Sequence, residues 1–158
     1  MDRTYSFEIE SELTAAPQEV WRHATNMRGV NRELRPLVRM NYPRECEELT
    51  PASIVLGRRL FRSWILLFGF LPIDYDDLTF VEFEPGRRFL ERSPTLTLRW
   101  WQHERRIEAT PAGCRVTDRV AFCPRAAWLG PLFRRAVKTL FTLRHRNLRR
   151  LFAASEKS

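Results

Sequence analysis

The sequence predicts an α+β fold in which a curved, seven-stranded antiparallel sheet wraps around one long C-terminal helix, with two short helices after the first strand. Three observations lead there. The opening segment alternates apolar and polar side chains, a series of short apolar segments follows at regular turn spacing, and the final segment changes to the helical period. A sheet with a polar outer face and only one long helix to cover its inner face must bend around that helix. Such a bend leaves room for a cavity.

In order along the chain, Tyr5, Phe7, Ile9, Ser11 and Leu13 fall on one face of the first strand, and Ser6, Glu8, Glu10 and Glu12 on the other. Pro17 suits the first turn of a helix, where its missing N–H costs nothing, so residues 17–25 read as a short helix carrying Val20 and Trp21 inward. A second short helix over residues 29–34 must stop before Pro36. Strands follow at residues 38–42, 58–68, 77–83, 88–92, 97–109 and 114–122, the last two joined by the turn Pro111, Ala112, Gly113. Leu129, Leu132, Phe133, Ala136, Val137, Leu140, Phe141, Leu148, Leu151 and Phe152 then share one arc of a long amphipathic helix, with His145 among the residues placed outside it.

A chain of 158 residues suits one domain, here residues 1–158 as a single unit. Met1 runs directly into the alternating strand, so the expectation is a chain without a leader. The apolar run at residues 64–73 is about half of what a membrane-spanning helix needs. Cys46, Cys114 and Cys123 are odd in number and lack CxxC spacing, which argues against a disulfide framework or a zinc site and fits a reducing cytoplasm. Cys114 and Cys123 read as small buried hydrophobes. No metal, no organic cofactor and no glycine-rich phosphate loop is expected.

The net charge of +8 is unevenly placed. Acids and bases cancel over residues 1–124, while Arg125, Arg134, Arg135, Lys138, Arg144, Arg146, Arg149 and Arg150 meet no acid before Glu156, which Lys157 offsets. The basic outer face of the last helix reads as solvated, with phosphate or anionic lipid as the competing reading. The aromatic stretches 64–70 and Trp100, Trp101 read as core or pocket wall, with an exposed patch for a homodimer or membrane surface as the alternative at residues 64–72.

Ionisable residues at inward positions are the most informative feature. Asp118 shares its face with Val116, Val120 and Phe122; Glu91 shares one with Phe89; Trp101, His103, Arg105 and Ile107 face inward together; Arg144 and Asn147 fall within the apolar arc of the helix. Glu91 and Asp118 then balance Arg105 and Arg144, with His103 among them. Buried charge is costly unless paired, so these groups either form a structural ion-pair network or make the polar end of a pocket. Trp101, Phe89, Phe122, Leu140 and Phe141 would be its apolar wall. His103 is the candidate proton donor or acceptor, its ordinary pKa lying near neutrality. His23 and His145 read as surface residues.

The stretch from Leu13 through Thr14, Ala15, Ala16, Pro17, Gln18, Glu19 and Val20 to Trp21 resembles the opening of the SRPBCC, or START-like, superfamily. The segments 88–91, 101–105, 116–120 and 141–144 are similar to its bacterial ligand-binding branch. The resemblance implies the helix-grip fold and a small hydrophobic or aromatic ligand, lipid, isoprenoid or polyketide-like, held between sheet and C-terminal helix. It also implies an enzymatic alternative, a polyketide cyclase/dehydratase using His103 and Arg105. The related pattern often has a second histidine where this chain has Arg105, so no histidine-pair mechanism carries over. A third reading, membrane or nucleic-acid contact through the basic helix, rests on charge alone and makes nucleic acid the less favoured partner.

Overall fold

In the computed structural model, which describes residues 2–155 and the side chains of residues 2–153, the opening alternation forms β1 (Tyr5–Leu13). Glu156 and Lys157 lie outside the described residues. Pro17 opens α1 (Pro17–Ala24), and the Thr25 hydroxyl closes it by donating to the Trp21 carbonyl at 2.8 Å. The Asn26 side chain accepts from the Arg28 N–H at 2.9 Å, and this cap starts α2 (Met27–Leu34) two residues before the expected Gly29.

Six strands follow: β2 (Val38–Met40), β3 (Arg59–Leu67), β4 (Leu71–Glu84), β5 (Arg88–Ser93), β6 (Leu98–Thr110) and β7 (Gly113–Pro124). After a 3₁₀ turn (Ala127–Leu129) comes the long helix α3 (Gly130–Ser155). All neighbours are antiparallel, in the order β1-β7-β6-β5-β4-β3-β2. The two edge strands β1 and β2 are thus consecutive in sequence, and α1 and α2 bridge the gap between them. This is the helix-grip fold.

Gly113 fixes the corner between β6 and β7. A Cβ there would sit 2.2 Å from the Leu13 carbonyl oxygen, so only glycine lets this turn approach the end of β1.

The strand β4 begins at Leu71, six residues before the expected Asp77, and this changes the reading of residues 64–73. They form the projecting end of the β3–β4 hairpin, where Phe68 is 61% exposed and Phe70 74% exposed, rather than core or pocket wall. The physical reason is coverage: α3 packs chiefly on β1 and α2, leaving the far end of β3 and β4 without a second layer.

Three apolar cores result. One gathers Leu13, Val20, Ile107, Val116 and Leu148. A second gathers Met27, Phe61, Leu78, Phe80 and Phe89. The third, under the first half of α3, gathers Tyr5, Leu98, Val120, Phe122 and Phe141. Cys114 and Cys123 are buried, at 0% and 1% exposure, as their reading required.

Candidate functional site

Along the inner face of β6 and β7 the residue type changes sharply. Ile107 and Val116 belong to the first core, Val120 and Phe122 to the third, and the register pair Arg105–Asp118 lies between them. Arg105 is 1% exposed. Its guanidinium donates to Asp118 through Nε to Oδ1 and Nη2 to Oδ2, both at 2.8 Å. On its other side it donates to Glu33 of α2, from Nη1 to Oε2 at 3.0 Å and from Nη2 to Oε1 at 2.8 Å. Two forked pairs therefore hold one planar cation between two carboxylates.

Each carboxylate is then completed by further donors. Asp118 accepts from His103 Nε2 at 2.8 Å on Oδ1 and from His145 Nε2 at 2.7 Å on Oδ2. Glu33 accepts from His23 Nε2 at 2.9 Å and from Arg144 Nε at 3.4 Å. A carboxylate can only accept, so the ε-nitrogens of all three histidines carry protons. That assigns Ser11 Oγ, 2.8 Å from His145 Nδ1, as the donor to that nitrogen in a neutral ring, while Ser11 accepts from Arg149 Nη1 at 2.7 Å. Glu33 and Asp118 thus face the two guanidinium groups of Arg105 and Arg144.

Titration follows the geometry. Burial alone would raise the Asp118 carboxyl, but Arg105 and His103 outweigh it and hold it well below the usual carboxylate range. Burial opposes, and Arg105, Arg144 and His23 overcome, the same rise at Glu33, which is also held well below that range. Burial would lower the Arg105 pKa, yet Asp118 and Glu33 drive it well above normal. Arg144 is lowered by its burial, Glu33 only partly opposing.

Glu91 stands apart from this group. Its Oε2 is 3.9 Å from His103 Nδ1, beyond hydrogen-bond length, and its Oε1 accepts from Ser93 Oγ at 3.0 Å. Beside it lies Asp76, 5% exposed, whose Oδ1 is buried without a hydrogen-bond partner. Burial first, and then the neighbouring Glu91 carboxylate, push Asp76 well above the carboxylate range. The rise favours the protonated form of Asp76. That proton is what a hydrogen bond between two carboxyls needs.

All five polar residues singled out in the sequence, Glu91, His103, Arg105, Asp118 and Arg144, are buried. Arg105, Asp118, His103 and Arg144 come together; Glu91 joins Asp76 instead of an arginine. Three further members escaped the sequence reading. Glu33 balances the charge in place of Glu91. His145, read as a surface residue, is 0% exposed, because it sits one turn after Phe141 and one before Leu148, on the covered side of α3. His23, also read as surface, has a side chain only 13% exposed and turns to Glu33. Their signals were present in the helical spacing: Glu33 lies on the face of Met27, Val30 and Leu34.

Of the expected apolar wall, Phe89, Phe122 and Phe141 are buried and Trp101 and Leu140 half-buried. Rings surround His103: Phe141 at 5.0 Å, Phe89 at 5.6 Å and Trp101 at 6.5 Å between centroids, with Trp101 in turn stacked on Phe122 at 6.2 Å. None of these residues lines the surface cleft beside α2 or the one beside the start of α3. Among the described residues, no cluster of His, Cys, Asp and Glu is arranged to hold a metal ion, and no helix is long and apolar enough to cross a membrane.

The family model for the domain of unknown function DUF8410 matches residues 11–152, nearly the whole folded unit. The chain belongs to the DUF8410 family. No curated protein matches it. Among solved structures, this DUF8410 chain is similar to the protein CV1439 from Chromobacterium violaceum, with a TM-score of 0.72 at 14% identity, covering 93% of this chain and 96% of that one. It is also similar to Ara h 8.0201, with a TM-score of 0.64 at 13% identity, covering 96% of this chain and 99% of that one. The di-domain ARO/CYC StfQ from the steffimycin biosynthetic pathway matches with a TM-score of 0.67 at 10% identity, covering 98% of this chain and 52% of that one. At these identities the likeness carries the helix-grip fold of DUF8410 and no more.

Proposed function

We propose that this chain binds a small hydrophobic or aromatic molecule, lipid, isoprenoid or polyketide-like, between α3 and the inner face of the sheet. The observation that carries the reading is a second apolar face on α3. Leu132, Ala136, Leu140 and Leu143 recur at spacings of four, four and three, yet belong to none of the three cores. Four residues further, Asn147 on the same face donates to the Glu33 and Arg35 carbonyls at 2.9 and 2.7 Å. The face that meets α2 at its far end is therefore uncovered ahead of α2, with Leu132 64% exposed. A ligand lying there would set its apolar body against this strip and Trp101, and its polar end toward Asp76, Glu91 and His103. A hydrogen bond from protonated Asp76 to a ligand oxygen is the natural anchor.

Native mass spectrometry of protein purified from its own host tests the reading. A co-purifying small molecule is expected, and Leu140→Glu should release it without lowering the thermal midpoint. Repeated absence of any bound molecule, or retention of it by Leu140→Glu, would count decisively against this site.

One observation favours a second reading, an enzyme of the cyclase/dehydratase type. Two neighbouring carboxyls and an imidazole lie in sequence from Asp76 through Glu91 to His103, which is the set needed to move a proton to and from a ligand carbonyl. Arg105 is the weaker candidate for that chemistry, since its donors are engaged by Asp118 and Glu33. His103→Asn should then remove turnover of a polyketide-like substrate while the thermal midpoint holds. If the midpoint collapses instead, His103 is a structural member of the network.

A further inference from the structure

The β3–β4 hairpin ends in a turn of unusual composition. Phe68 has a φ of 54° and Gly69 a φ of 87°, two left-handed residues in succession. Such a turn favours Asn, Asp or Gly at its first position, and a bulky ring there is disfavoured. The turn nevertheless presents Phe68, Phe70, Leu71 and Ile73 to solvent, at 61%, 74%, 48% and 44% exposure. Four exposed hydrocarbon side chains within six residues of one hairpin tip exceed what scattered surface apolar residues explain.

Beside the tip lies a cleft of about 660 Å³ lined by Arg28, Arg32, Arg35 and Arg39, with Phe68 and Gly69 on its rim. The Phe68 N–H donates to the Leu37 carbonyl at 2.7 Å, which fastens the tip to the segment carrying Arg35 and Arg39. Arg28 pairs with Glu47 at 3.2 Å on the far wall, whereas Arg32, Arg35 and Arg39 form no salt bridge among the described residues. All three are exposed.

We propose that the hairpin tip and this arginine-lined cleft form one docking face for an anionic lipid bilayer, the tip entering the acyl boundary and the cleft taking a phosphate headgroup. Charge complementarity selects this occupant. A second copy of the chain seated symmetrically on the face would bring unpaired arginines against one another. The tip also offers no hydrogen-bonding side chain with which to read a base, and two of its four residues are aliphatic. Apolar insertion beside clustered cations is the pattern that anionic membranes reward. The surface differs from the basic outer face of α3, and it does not depend on whether a ligand occupies the interior.

Sedimentation of the purified chain with vesicles of phosphatidylglycerol and phosphatidylcholine, against phosphatidylcholine alone, tests the proposal. Binding to the anionic vesicles is expected, weakening as salt rises. Phe68→Asn with Phe70→Ser should lower the partition coefficient by about tenfold or more, and Asn suits the left-handed backbone, so the thermal midpoint should hold. Arg32→Glu with Arg39→Glu should remove the preference for anionic lipid. Three results would each overturn the proposal: a wild-type chain that stays in the supernatant at low salt; loss of binding by Arg134→Glu, Arg135→Glu and Lys138→Glu with the hairpin variants unaffected; or a wild-type dimer that Phe70→Ser converts to monomer. Preferential capture of a single-stranded oligonucleotide over anionic vesicles would overturn it as well.

Discussion

Glu33 shows how much one carboxylate can organise when four donors converge on it. It receives Arg105, Arg144 and His23, and its removal would leave two guanidinium groups in the interior facing only Asp118. Glu33→Gln should therefore cost about 3 to 5 kcal/mol, the range for breaking a buried ion pair on one side. Urea unfolding measures this; a loss under about 1 kcal/mol would show that water reaches the network. Asp76 makes the opposite case. Its folded-state pKa is raised, so the folded chain keeps a proton that the unfolded chain releases above about pH 4, and the stability this provides is lost as pH rises through the folded value. Asp76→Asn should flatten that alkaline decline, raising the thermal midpoint at pH 8 relative to wild type while changing it little at pH 4. Period-two alternation made the inward placement of Asp118, Glu91, His103 and Arg105 legible, because a strand leaves a residue only two faces. Partner choice was not legible. Glu91 and Glu33 are equal as charges in a sequence, and only the position of α2 across β6 decides which meets Arg105.

At the scale of elements, boundaries follow caps and corners more than propensity. Asn26 starts α2 earlier than its glycine suggests, and Gly113 permits a backbone approach that no side chain allows. Gly113→Ala should destabilise by about 1 to 3 kcal/mol, the usual cost of overpacking a filled site, and denaturant midpoints should show it; a neutral result would mean the β6–β7 turn can draw away from β1. The largest misreading concerned residues 64–70, read first as core or pocket wall with an exposed patch over 64–72 as the alternative, where the structure shows a projecting hairpin with an exposed tip. Hydrophobicity reports what a segment prefers and not whether a partner layer reaches it. The long α3 reads the same way. Its period identified the helix and placed Arg144 inside, but a broad apolar arc could not separate the face packed on β1 from the uncovered strip of Leu132, Ala136, Leu140 and Leu143.

For the whole molecule, acid stability rests on the two depressed carboxylates. Glu33 and Asp118 titrate near pH 4 in an unfolded chain and well below that when folded, so their contribution is complete above that range and is lost as pH falls toward the folded values. Thermal midpoints should accordingly drop below about pH 4, and Glu33→Gln, though less stable at neutrality, should show a shallower acid slope. A midpoint indifferent to pH between 5 and 2 would contradict the network's role. The count of seven strands was within reach of the sequence because turn signals punctuate it regularly; that β1 and β2 form opposite edges was not, since strand count says nothing of pairing. The network also bears on how the protein is made. Its members come from positions 33, 105, 118 and 145, so it cannot close until α3 has followed the sheet out of the ribosome. Until α3 emerges, a finished sheet would hold an aromatic and charged inner face open to water, the condition under which nascent chains aggregate or engage chaperones. The helix α3 thus sets the moment at which the inner face of the sheet is shielded from water.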